Sequence, residues 1–415
     1  MSLPEKHFAV LLYGRRVGTL VQRGDHVRFL IEDDYVDDPA RPVLGLRFEE
    51  DPAKPYSAAL RLPPWFSNLL PEGPLREFVA TAGHVSADRE MELISQVRHD
   101  LPGAVDIVPS DEVRTDGSWE GDTAADATGD ERQPEVWRFS LAGVAMKFSM
   151  LGFGDRFTVP GYGARGDWII KLPDFRFEHV PRNEFAMARF ARAVGIDVPE
   201  VRLVHRDEFP MVPERLWPDG EEWVYAIRRF DRARDERRTP IHIEDFAQVL
   251  DRYPNSKYDG NYETVAAFVY RGVHVADLRE FARRLAFMVL IGNGDAHVKN
   301  WSLIYPDRLT ARLAPAYDQV ATFLYRDSTD GPEDMALKLA GSRRFDDVSL
   351  RAFTRLEKRL DDRFGTSGAD LASVAAETAR RARRALPEAL ETLTRCPGQV
   401  EAFTDWFESR ARQFS

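Results

Sequence analysis

The sequence predicts an α+β protein, with a small β-rich N-terminal domain, a β-rich middle region and a helical C-terminal half. Three observations predict this class. Short apolar runs separated by glycine turns occupy the first hundred residues. A segment with few apolar side chains then interrupts the chain, and apolar residues with helical spacing prevail from residue 240 onward. The predicted boundaries are 1–110 for the N-terminal domain, 111–135 for a linker, 136–230 for the β-rich region and 231–415 for the helical part.

Composition and charge narrow the classes of protein to which this chain can belong. Its 415 residues are enough for two or three domains, and 43% hydrophobic with 30% charged residues is typical of a globular protein. The net charge of −11 argues against a chain that coats nucleic acid by itself. The single cysteine, Cys396, excludes a disulfide framework, and neither a signal-peptide pattern nor a long apolar run is present. We therefore expect a cytoplasmic protein.

The N-terminal domain is predicted to contain strands followed by a helix. Residues 7–12 and 27–32 are short apolar stretches with turn signals at Gly14 and at Gly24. Residues 74–97 are predicted to be helical. We expect a sheet of short strands with a helix beside it.

The middle region begins after an acidic segment and is predicted to form strands around one helix. Residues 111–135 contain nine acidic residues and two arginines, and such a segment buries too little apolar surface to offset its ordering entropy. We expect a mobile linker or loop there. Residues 168–172 are a nearly continuous apolar run with Lys171 inside it, which is typical of a buried strand. Residues 183–194 have helical spacing, and 225–230 are a further strand candidate.

The C-terminal part is predicted to be mainly helical. Apolar residues between 281 and 289 form one face of a helix, which Gly292 should end as its C-cap residue. Residues 346–415 are predicted to be charged helix, broken near Pro387 and again near Cys396.

The segment after Gly292 carries the strongest chemical signal. Asp295 is followed five positions later by Asn300, with Lys299 between them, and Asp318 lies eighteen positions further on. This pattern suits phosphoryl transfer, because an aspartate can accept the proton of a hydroxyl while an amide oxygen and a second carboxylate hold a metal that bridges phosphates. Lys299 would balance the charge on the transferred group. The alternative is a polar loop with an Asx turn at Asp295.

A lysine inside an apolar strand is the second signal. Only eight of the 57 basic residues are lysine, so surface charge in this chain is normally arginine. Lys171 would reach the phosphates of a nucleotide, or it would be a strand-edge lysine that extends to water. Glu184 on the following helix is a weaker candidate partner for Lys171, since a role at the helix start is equally consistent with its position.

Candidate phosphate-binding and nucleotide-binding segments lie on either side of Lys171. Residues 140–147 read SLAGVAMK, where small side chains let backbone N–H groups approach an anion closely. The glycine clusters at 152–154 and 161–166 compete with this segment but are more typical of hairpin turns. Residues 228–232 would bind adenine through backbone groups as a hinge.

These motifs together resemble the HipA family of serine/threonine kinase toxins from bacterial toxin–antitoxin systems. WFSNLLPEG at 65–73 and DLPGAV at 100–105 are similar to the family's small N-terminal coupling domain. SLAGV at 140–144 with Lys147 resembles its phosphate loop, RFDR at 229–232 its hinge, and NGDAHVKNWS at 293–302 its catalytic loop. The motifs occur in the family's order and cover most of the chain.

The resemblance implies a two-lobed, protein-kinase-like fold with an extra N-terminal domain, and it implies ATP and Mg²⁺. Asp295 would be the base, with Lys299 beside it, and Asn300 and Asp318 the metal ligands. Ser140 would be a site of self-phosphorylation that switches the enzyme off, since its added charge repels the nucleotide phosphates. The residues expected to contact the nucleotide are Ala142, Gly143, Val144, Ala145, Met146, Lys147, Lys171, Arg228, Arg229, Phe230 and His297. Ala145 departs from the family, which usually carries glutamine there.

The resemblance also implies partners. Members of the family typically bind a helix-turn-helix antitoxin, through which they reach operator DNA, and an aminoacyl-tRNA synthetase is the characterised substrate. We therefore expect a toxin kinase that phosphorylates a translation-related protein and does not bind membranes. Other functions remain open: a small-molecule or lipid kinase, for which the loop at 327–341 would discriminate, and an ATP-binding regulator without turnover. A metal hydrolase built on Asp295, His297 and Asp318 would leave the glycines and lysines unexplained.

Overall fold

The fold is described from a computed structural model. It describes residues 4–98, 100–112, 146–153, 156–158, 160, 165–210, 212–326, 329, 331–393 and 398–414. Residues 113–145 lie outside this set, and with them most of the predicted linker and residues 140–145 of the predicted phosphate loop. Among the described residues, no helix is long and apolar enough to cross a membrane.

Two compact units divide the chain. The first comprises Met1–Lys171, Arg228–Pro254 and Ile304–Ala311, and the second comprises Leu172–Ile227, Asn255–Leu303 and Arg312–Ser415. This division by packing differs from the predicted boundary at residue 230, because 228–254 packs with the N-terminal part of the chain. The four predicted domains themselves stay a prediction.

The described residues form fifteen strands and twelve α-helices. The strands are β1 (Glu5–Leu12), β2 (Arg15–Arg23), β3 (His26–Ile31), β4 (Tyr56–Ala59), β5 (Val105–Pro109), β6 (Lys147–Phe153), β7 (Arg156–Thr158), β8 (Trp168–Lys171), β9 (Val201–His205), β10 (Trp223–Arg228), β11 (His242–Asp245), β12 (Ser302–Tyr305), β13 (Arg312–Leu313), β14 (Asp334–Leu339) and β15 (Ser342–Arg344). The helices are α1 (Asp33–Val36), α2 (Leu46–Glu50), α3 (Pro64–Ser67), α4 (Gly73–Ala82), α5 (Glu90–Val97), α6 (Val180–Val194), α7 (Phe246–Val249), α8 (Tyr262–Tyr270), α9 (Val275–Ile291), α10 (Leu350–Phe364), α11 (Leu371–Leu393) and α12 (Gln399–Ala411).

The N-terminal part of the first unit is a five-stranded antiparallel sheet in the order β4-β3-β2-β1-β5. Two-residue turns join β1 to β2 and β2 to β3, as the turn signals predict. Tyr13 and Gly14 both have positive φ, 52° and 79°, which suits the twist of a hairpin. The predicted strands at 7–12 and 27–32 are confirmed as β1 and β3. The sequence patterns do not predict β2, because arginines stand at both of its ends.

The helix predicted at 74–97 is two helices. Residues 83–89 separate α4 from α5, and α4 ends at Gly83. The prediction of one continuous helix is therefore wrong.

A second group of strands in the first unit holds Lys171. β6 pairs antiparallel with β7 and with β8, so the predicted strand at 168–172 is confirmed as β8. Gly152 belongs to β6, where a Cβ atom would lie 2.4 Å from the Trp168 indole nitrogen. This glycine therefore permits close packing between neighbouring strands.

Glu244 is the centre of a buried polar cluster in the first unit. Its carboxylate accepts hydrogen bonds from the Leu46 backbone N–H at 2.9 Å, the Trp65 indole N–H at 3.2 Å and the Tyr305 hydroxyl. Burial raises the pKa of Glu244 to about 7, although these three donors oppose the shift. His242, two residues earlier on β11, is also buried, and burial lowers its pKa to about 4.

The second unit is mainly helical, with α9 at its centre. Nearly every residue of α9 from Phe281 to Ile291 is buried. Gly292 ends α9 as its C-cap with φ 64°, which confirms the prediction. A Cβ atom at this position would lie 2.5 Å from the Phe323 ring, so glycine is required for packing as well as for backbone conformation.

The C-terminal helices differ from their prediction at one point. Pro387 lies inside α11, which runs unbroken from Leu371 to Leu393, so the predicted break near Pro387 is wrong. Leu386, Ala389 and Leu393 are buried on both sides of the proline in sequence, and their packing outweighs the lost backbone hydrogen bond. The second predicted break, near Cys396, falls on residues 394–397, which lie outside the described residues.

Candidate active site

The catalytic loop predicted at 293–300 follows α9 directly and is held by Asn293. The side chain of Asn293, only 1% exposed, accepts a hydrogen bond from the Asp295 backbone N–H at 3.1 Å. Its amide group donates to the Asp318 backbone carbonyl at 3.2 Å. One buried side chain therefore fixes the backbone of both predicted carboxylate residues.

Asp295 and Asn300 lie together, as their spacing predicts. The Asn300 side-chain N–H donates to the Asp295 backbone carbonyl at 2.9 Å. This bond uses the amide nitrogen of Asn300, so the predicted role as a metal ligand would fall to its carbonyl oxygen. Asp295 is exposed, and one of its carboxylate oxygens accepts a hydrogen bond from the Tyr258 hydroxyl at 2.6 Å.

Asp318 has a strained backbone. Its φ of 53° lies in the left-handed region, which residues other than glycine, asparagine and aspartate rarely adopt and which costs free energy for any residue with a Cβ atom. Such strain is typical of functional sites, where the surrounding structure holds a residue in place. Burial raises the pKa of Tyr225, and the negative charges of Glu184 and Asp318 raise it further. Glu184 and Asp318 therefore both lie within electrostatic reach of the same buried phenol.

Asn183 joins helix α6 to the segment after Asp318. Its side chain is fully buried, accepts from the Ala321 backbone N–H at 2.9 Å and donates to the Ala321 carbonyl at 3.2 Å. The sequence patterns above do not identify this positioning residue. What could have identified it is its position on the apolar stripe of α6, where a polar residue stands four positions before the buried Met187.

A second set of bonds ties the catalytic loop to Glu333. The Thr322 hydroxyl accepts from the Gly294 N–H at 2.7 Å and lies 3.2 Å from the Glu333 carboxylate. A Cβ atom at Gly294 would lie 1.8 Å from that carboxylate and 2.7 Å from the Asp334 backbone carbonyl oxygen, and the backbone contact explains the glycine before Asp295. Burial raises the pKa of Glu333, and its ion pair with Arg326 at 3.1 Å opposes the shift.

Lys299 and His297 lie in the same loop. The Lys299 side chain is buried, and its backbone carbonyl accepts from the Tyr317 hydroxyl at 2.8 Å. His297 is also buried, with its ring edge-on to Tyr258 at a centroid distance of 5.1 Å. Their predicted roles toward the substrate and the nucleotide stay predictions.

In the first unit, two predicted nucleotide-binding lysines are cross-strand neighbours. Lys147 on β6 is the register partner of Lys171 on β8. Residues directly opposite in an antiparallel pair share one face of the sheet, and like charges in that position destabilise it. The predicted contact of these two lysines with the phosphates of a nucleotide stays a prediction. Met146 is half-buried beside them, whereas Ser140, Ala142, Gly143, Val144 and Ala145 lie outside the described residues.

The predicted hinge contains a buried ion cluster. Arg229 donates to Asp100 at 2.7 Å and to Asp231 at 2.8 and 2.9 Å, and the adjacent Arg232 bonds to the same two carboxylates. Burial lowers the pKa of Arg229, but Asp100 and Asp231 outweigh this and raise it. The Asp231 pKa is held below its usual range by Arg229 and Arg232, against the effect of burial.

This cluster anchors the segment DLPGAV at 100–105 to residues 229–232. Arg228 and Phe230, the other two hinge candidates, are half-buried. The guanidinium of Arg229 is occupied by carboxylates, so any contact of this residue with adenine would use its backbone. Nucleotide binding at 228–230 stays a prediction.

Asn300 and Asp318 fit the ligands that Mg²⁺ prefers. An amide oxygen and a carboxylate leave several positions for phosphate oxygens and water, which is how Mg²⁺ is usually held beside a nucleotide. Among the residues that the structure describes, no three His, Cys, Asp or Glu side chains are grouped to hold a metal by themselves.

Comparison with known families matches both parts of the chain. Residues 8–108 match the HipA N-terminal domain, and residues 139–386 match the HipA-like C-terminal domain. This chain belongs to the HipA family. The Sinorhizobium fredii protein Y4dM, named as a kinase, is 42% identical over 77% of this chain and 78% of its own length. The serine/threonine-protein kinase toxin HipA of Shewanella oneidensis is 26% identical over 69% of this chain and 68% of its own length.

A solved structure shares the fold. The Shewanella oneidensis HipA, in complex with HipB and operator DNA, superposes with a TM-score of 0.72 at 20% identity, covering 97% of this chain and 95% of that chain. The predicted α+β class with an N-terminal β-sheet domain is thereby confirmed. The chain is a HipA-like serine/threonine kinase, and its reaction uses ATP.

Proposed function

We propose that this HipA-family kinase transfers the γ-phosphate of ATP to a serine or threonine hydroxyl of a protein and acts as the toxin of a toxin–antitoxin pair. The observation that carries the proposal is the exposed carboxylate of Asp295 on a backbone that two side chains hold in place. The Asp295 backbone N–H donates to Asn293, and the Asp295 backbone carbonyl accepts from Asn300. A base, an amide oxygen and a nearby strained aspartate are the parts that phosphoryl transfer requires.

The residues divide the reaction between them. Asp295 accepts the proton of the acceptor hydroxyl as the oxygen bonds to the γ-phosphorus, and the bond from that phosphorus to the bridging oxygen of ADP breaks. Lys147 and Lys171 hold the phosphates from the sheet, and Lys299 balances charge at the transferred group. Asn300 and Asp318 would hold Mg²⁺, which when bound neutralises charge on the ATP phosphates.

We further propose Ser140 as a site of self-phosphorylation. It stands in the segment that resembles the family's phosphate loop, and a phosphate there adds a charge close to −2 that repels the nucleotide phosphates. The modified protein would bind ATP more weakly, and the kinase would become inactive.

The partners follow from the relatives. The Shewanella oneidensis HipA was solved with the antitoxin HipB and operator DNA. We propose that this chain binds a helix-turn-helix antitoxin in the same manner and reaches DNA mainly through it, because its own net charge is −11. The proposed protein substrate is a translation-related protein such as an aminoacyl-tRNA synthetase, whose modification would arrest growth.

The first experiment is the intact mass of the purified protein after incubation with Mg·ATP. The wild type should gain one phosphate, mapped to Ser140, and Ser140→Ala should gain none. Asp295→Asn should slow the gain by about 10²–10⁴-fold, because it removes the general base. Asp207→Asn, which changes an exposed acid of the same unit, serves as the matched control and should behave as the wild type.

Each other outcome changes the assignment. An equal rate in Asp295→Asn and the wild type would show that Asp295 is not the base. Label transferred from ATP to a small-molecule fraction would favour a small-molecule kinase. If no phosphate is transferred by any variant, while ATP and the antitoxin still bind, the chain is a regulator without turnover.

A further inference from the structure

Tyr258 makes a contact at the proposed base that the phosphoryl-transfer reaction does not use. Its hydroxyl donates to a carboxylate oxygen of Asp295 at 2.6 Å. A hydroxyl that donates to the base at this distance has the geometry of a phosphoryl acceptor before transfer. Here the hydroxyl belongs to the chain itself.

The backbone around Tyr258 is held in place by two elements of the second unit. The Lys257 carbonyl accepts from the Val298 N–H at 3.2 Å, which ties the segment to the catalytic loop. The Tyr258 carbonyl accepts from the Arg343 guanidinium at 2.7 Å, which ties it to β15. The position of the phenol at Asp295 is therefore set by the fold.

The Tyr258 side chain is nevertheless able to leave. It is 40% exposed, whereas most large side chains with apolar character in the described part of the chain are less exposed than this. Its ring packs edge-on against the buried His297 and lies 5.6 Å from the ammonium of the buried Lys257, so one part of the ring contacts the fold while the rest is open to solvent. Exposed side chains change rotamer in picoseconds to nanoseconds, so the phenol can exchange with an incoming group.

We propose that the Tyr258 hydroxyl occupies the acceptor position at Asp295 and must be displaced before a substrate hydroxyl can bind there. The inference rests on the proposed role of Asp295 as the base. Two hydroxyl groups cannot donate to the base from the same place, so Tyr258 competes with the substrate and with water. Tyr258 is thus an internal competitor that suppresses transfer to poor acceptors.

The test compares the wild type with Tyr258→Phe, which keeps the ring and removes the hydroxyl. Tyr253→Phe is the matched control, since it removes a phenol hydroxyl five positions earlier in the sequence. The acceptor is a synthetic peptide of residues 134–147, in which Ser140 is the only hydroxyl-bearing residue. Transfer of labelled phosphate from ATP to the peptide gives kcat and KM.

Competition predicts a specific change in the kinetics. Tyr258→Phe should lower the KM for the peptide three- to tenfold with little change in kcat, and should raise ATP hydrolysis without peptide by a similar factor. Tyr253→Phe should match the wild type. A fall in kcat at constant KM would overturn the inference, because it would mean that Tyr258 helps to hold the base. Phosphate found on Tyr258 would also overturn it, since the phenol would then be an acceptor itself.

A binding measurement separates this inference from the proposed function. Calorimetry with a non-hydrolysable ATP analogue and Mg²⁺ would compare the peptide with its Ser140→Ala form for both proteins. Tyr258→Phe should bind the serine peptide three- to tenfold more tightly than the wild type does, and the alanine peptide equally. Equal binding of both peptides by both proteins, or no binding, would overturn the inference. If no variant transfers phosphate but the serine peptide still shows this gain, the proposed function falls and the competition at Asp295 stands.

Discussion

Two polar clusters of this chain contrast in how their charges are used. The cluster of Asp100, Arg229, Asp231 and Arg232 in the first unit is buried, and its carboxylates and guanidinium groups bond to one another and to the backbone. The catalytic loop in the second unit fixes the Asp295 backbone but leaves the Asp295 carboxylate exposed. Both clusters combine aspartates with cations or amides in short motifs.

The contrast shows which arrangement suits which task. A buried carboxylate with two arginines around it has its hydrogen-bonding capacity used within the fold, so it stabilises structure. An exposed carboxylate whose backbone is held rigid can exchange a group bonded to its oxygens for a substrate. We therefore expect mutations in the first cluster to change stability and mutations in the second to change the reaction.

The largest effect on stability is expected from Asp231→Ala. It leaves the guanidinium groups of Arg229 and Arg232 buried with one carboxylate between them, and breaking a buried ion pair in this way costs about 3–5 kcal/mol. Urea unfolding would measure the loss. Asp235→Ala, which removes an exposed carboxylate bonded to Thr239, should leave the free energy of unfolding nearly unchanged. If Asp231→Ala kept normal stability but lost ATP binding, residues 229–232 would act in nucleotide binding. The contrast between the two clusters would then not hold.

A pH-dependent effect of about 3 kcal/mol is expected from Glu244, a buried carboxylate without a cation among its three donors. Its pKa rises from 4.5 to about 7 on folding, so the folded state holds a proton that the unfolded state releases between these values. The stability of the wild type relative to Glu244→Gln should therefore fall as the pH rises from 4.5 to 7. Urea unfolding at several pH values would measure the difference.

The control for this prediction is Glu222→Gln, which changes an exposed carboxylate. It should change the free energy of unfolding far less than Glu244→Gln does. A constant difference between the wild type and Glu244→Gln would mean that Glu244 stays ionised in the folded protein. Buried carboxylates with an arginine partner and buried carboxylates without one would then have the same ionisation state, against the contrast drawn here.

The smallest expected effect on stability, about 1–3 kcal/mol, is that of Asn183→Ala, because it leaves the Ala321 N–H and carbonyl unsatisfied. Since Asn183 positions the segment after Asp318, we also expect a fall in kcat. Thermal unfolding and the phosphate-transfer assay would measure the two effects. Asn255→Ala, at an exposed position, should change neither. A stability loss with unchanged kcat would place Asn183 with the purely structural cluster.

The sequence predicts several of the strands and helices that surround the site. The strand with Lys171, the helix at 183–194 and the C-cap at Gly292 are each specified by a local pattern, either an apolar run or a residue with a special backbone conformation. The errors at 83–89 and Pro387 arise where a weak local signal is outweighed by packing. Gly83 ends a helix that the pattern extends, and Pro387 sits in a helix whose apolar stripe continues past it.

The candidate site is predictable in part. Asp295, Asn300 and Asp318 are found from spacing, because the loop holds them within a few tens of residues. Spacing does not identify four further residues of the site, because each reaches it from a distant part of the chain through a single polar side chain. These residues are Asn183, Thr322, Glu333 and Tyr258. RFDR illustrates the same limit, because its sequence alone does not tell a nucleotide hinge from a buried ion cluster.

The left-handed backbone at Asp318 has a consequence for how this protein can lose its activity in evolution. Asparagine and glycine are the residues that adopt φ near 53° most readily, and both lack the carboxylate. Each is one nucleotide change away from an aspartate codon. The substitutions that the backbone accepts best are therefore those that remove the proposed metal ligand. Natural variants that are folded, expressed and inert should then arise at this codon more easily than at Asp295, where no backbone relief accompanies the loss.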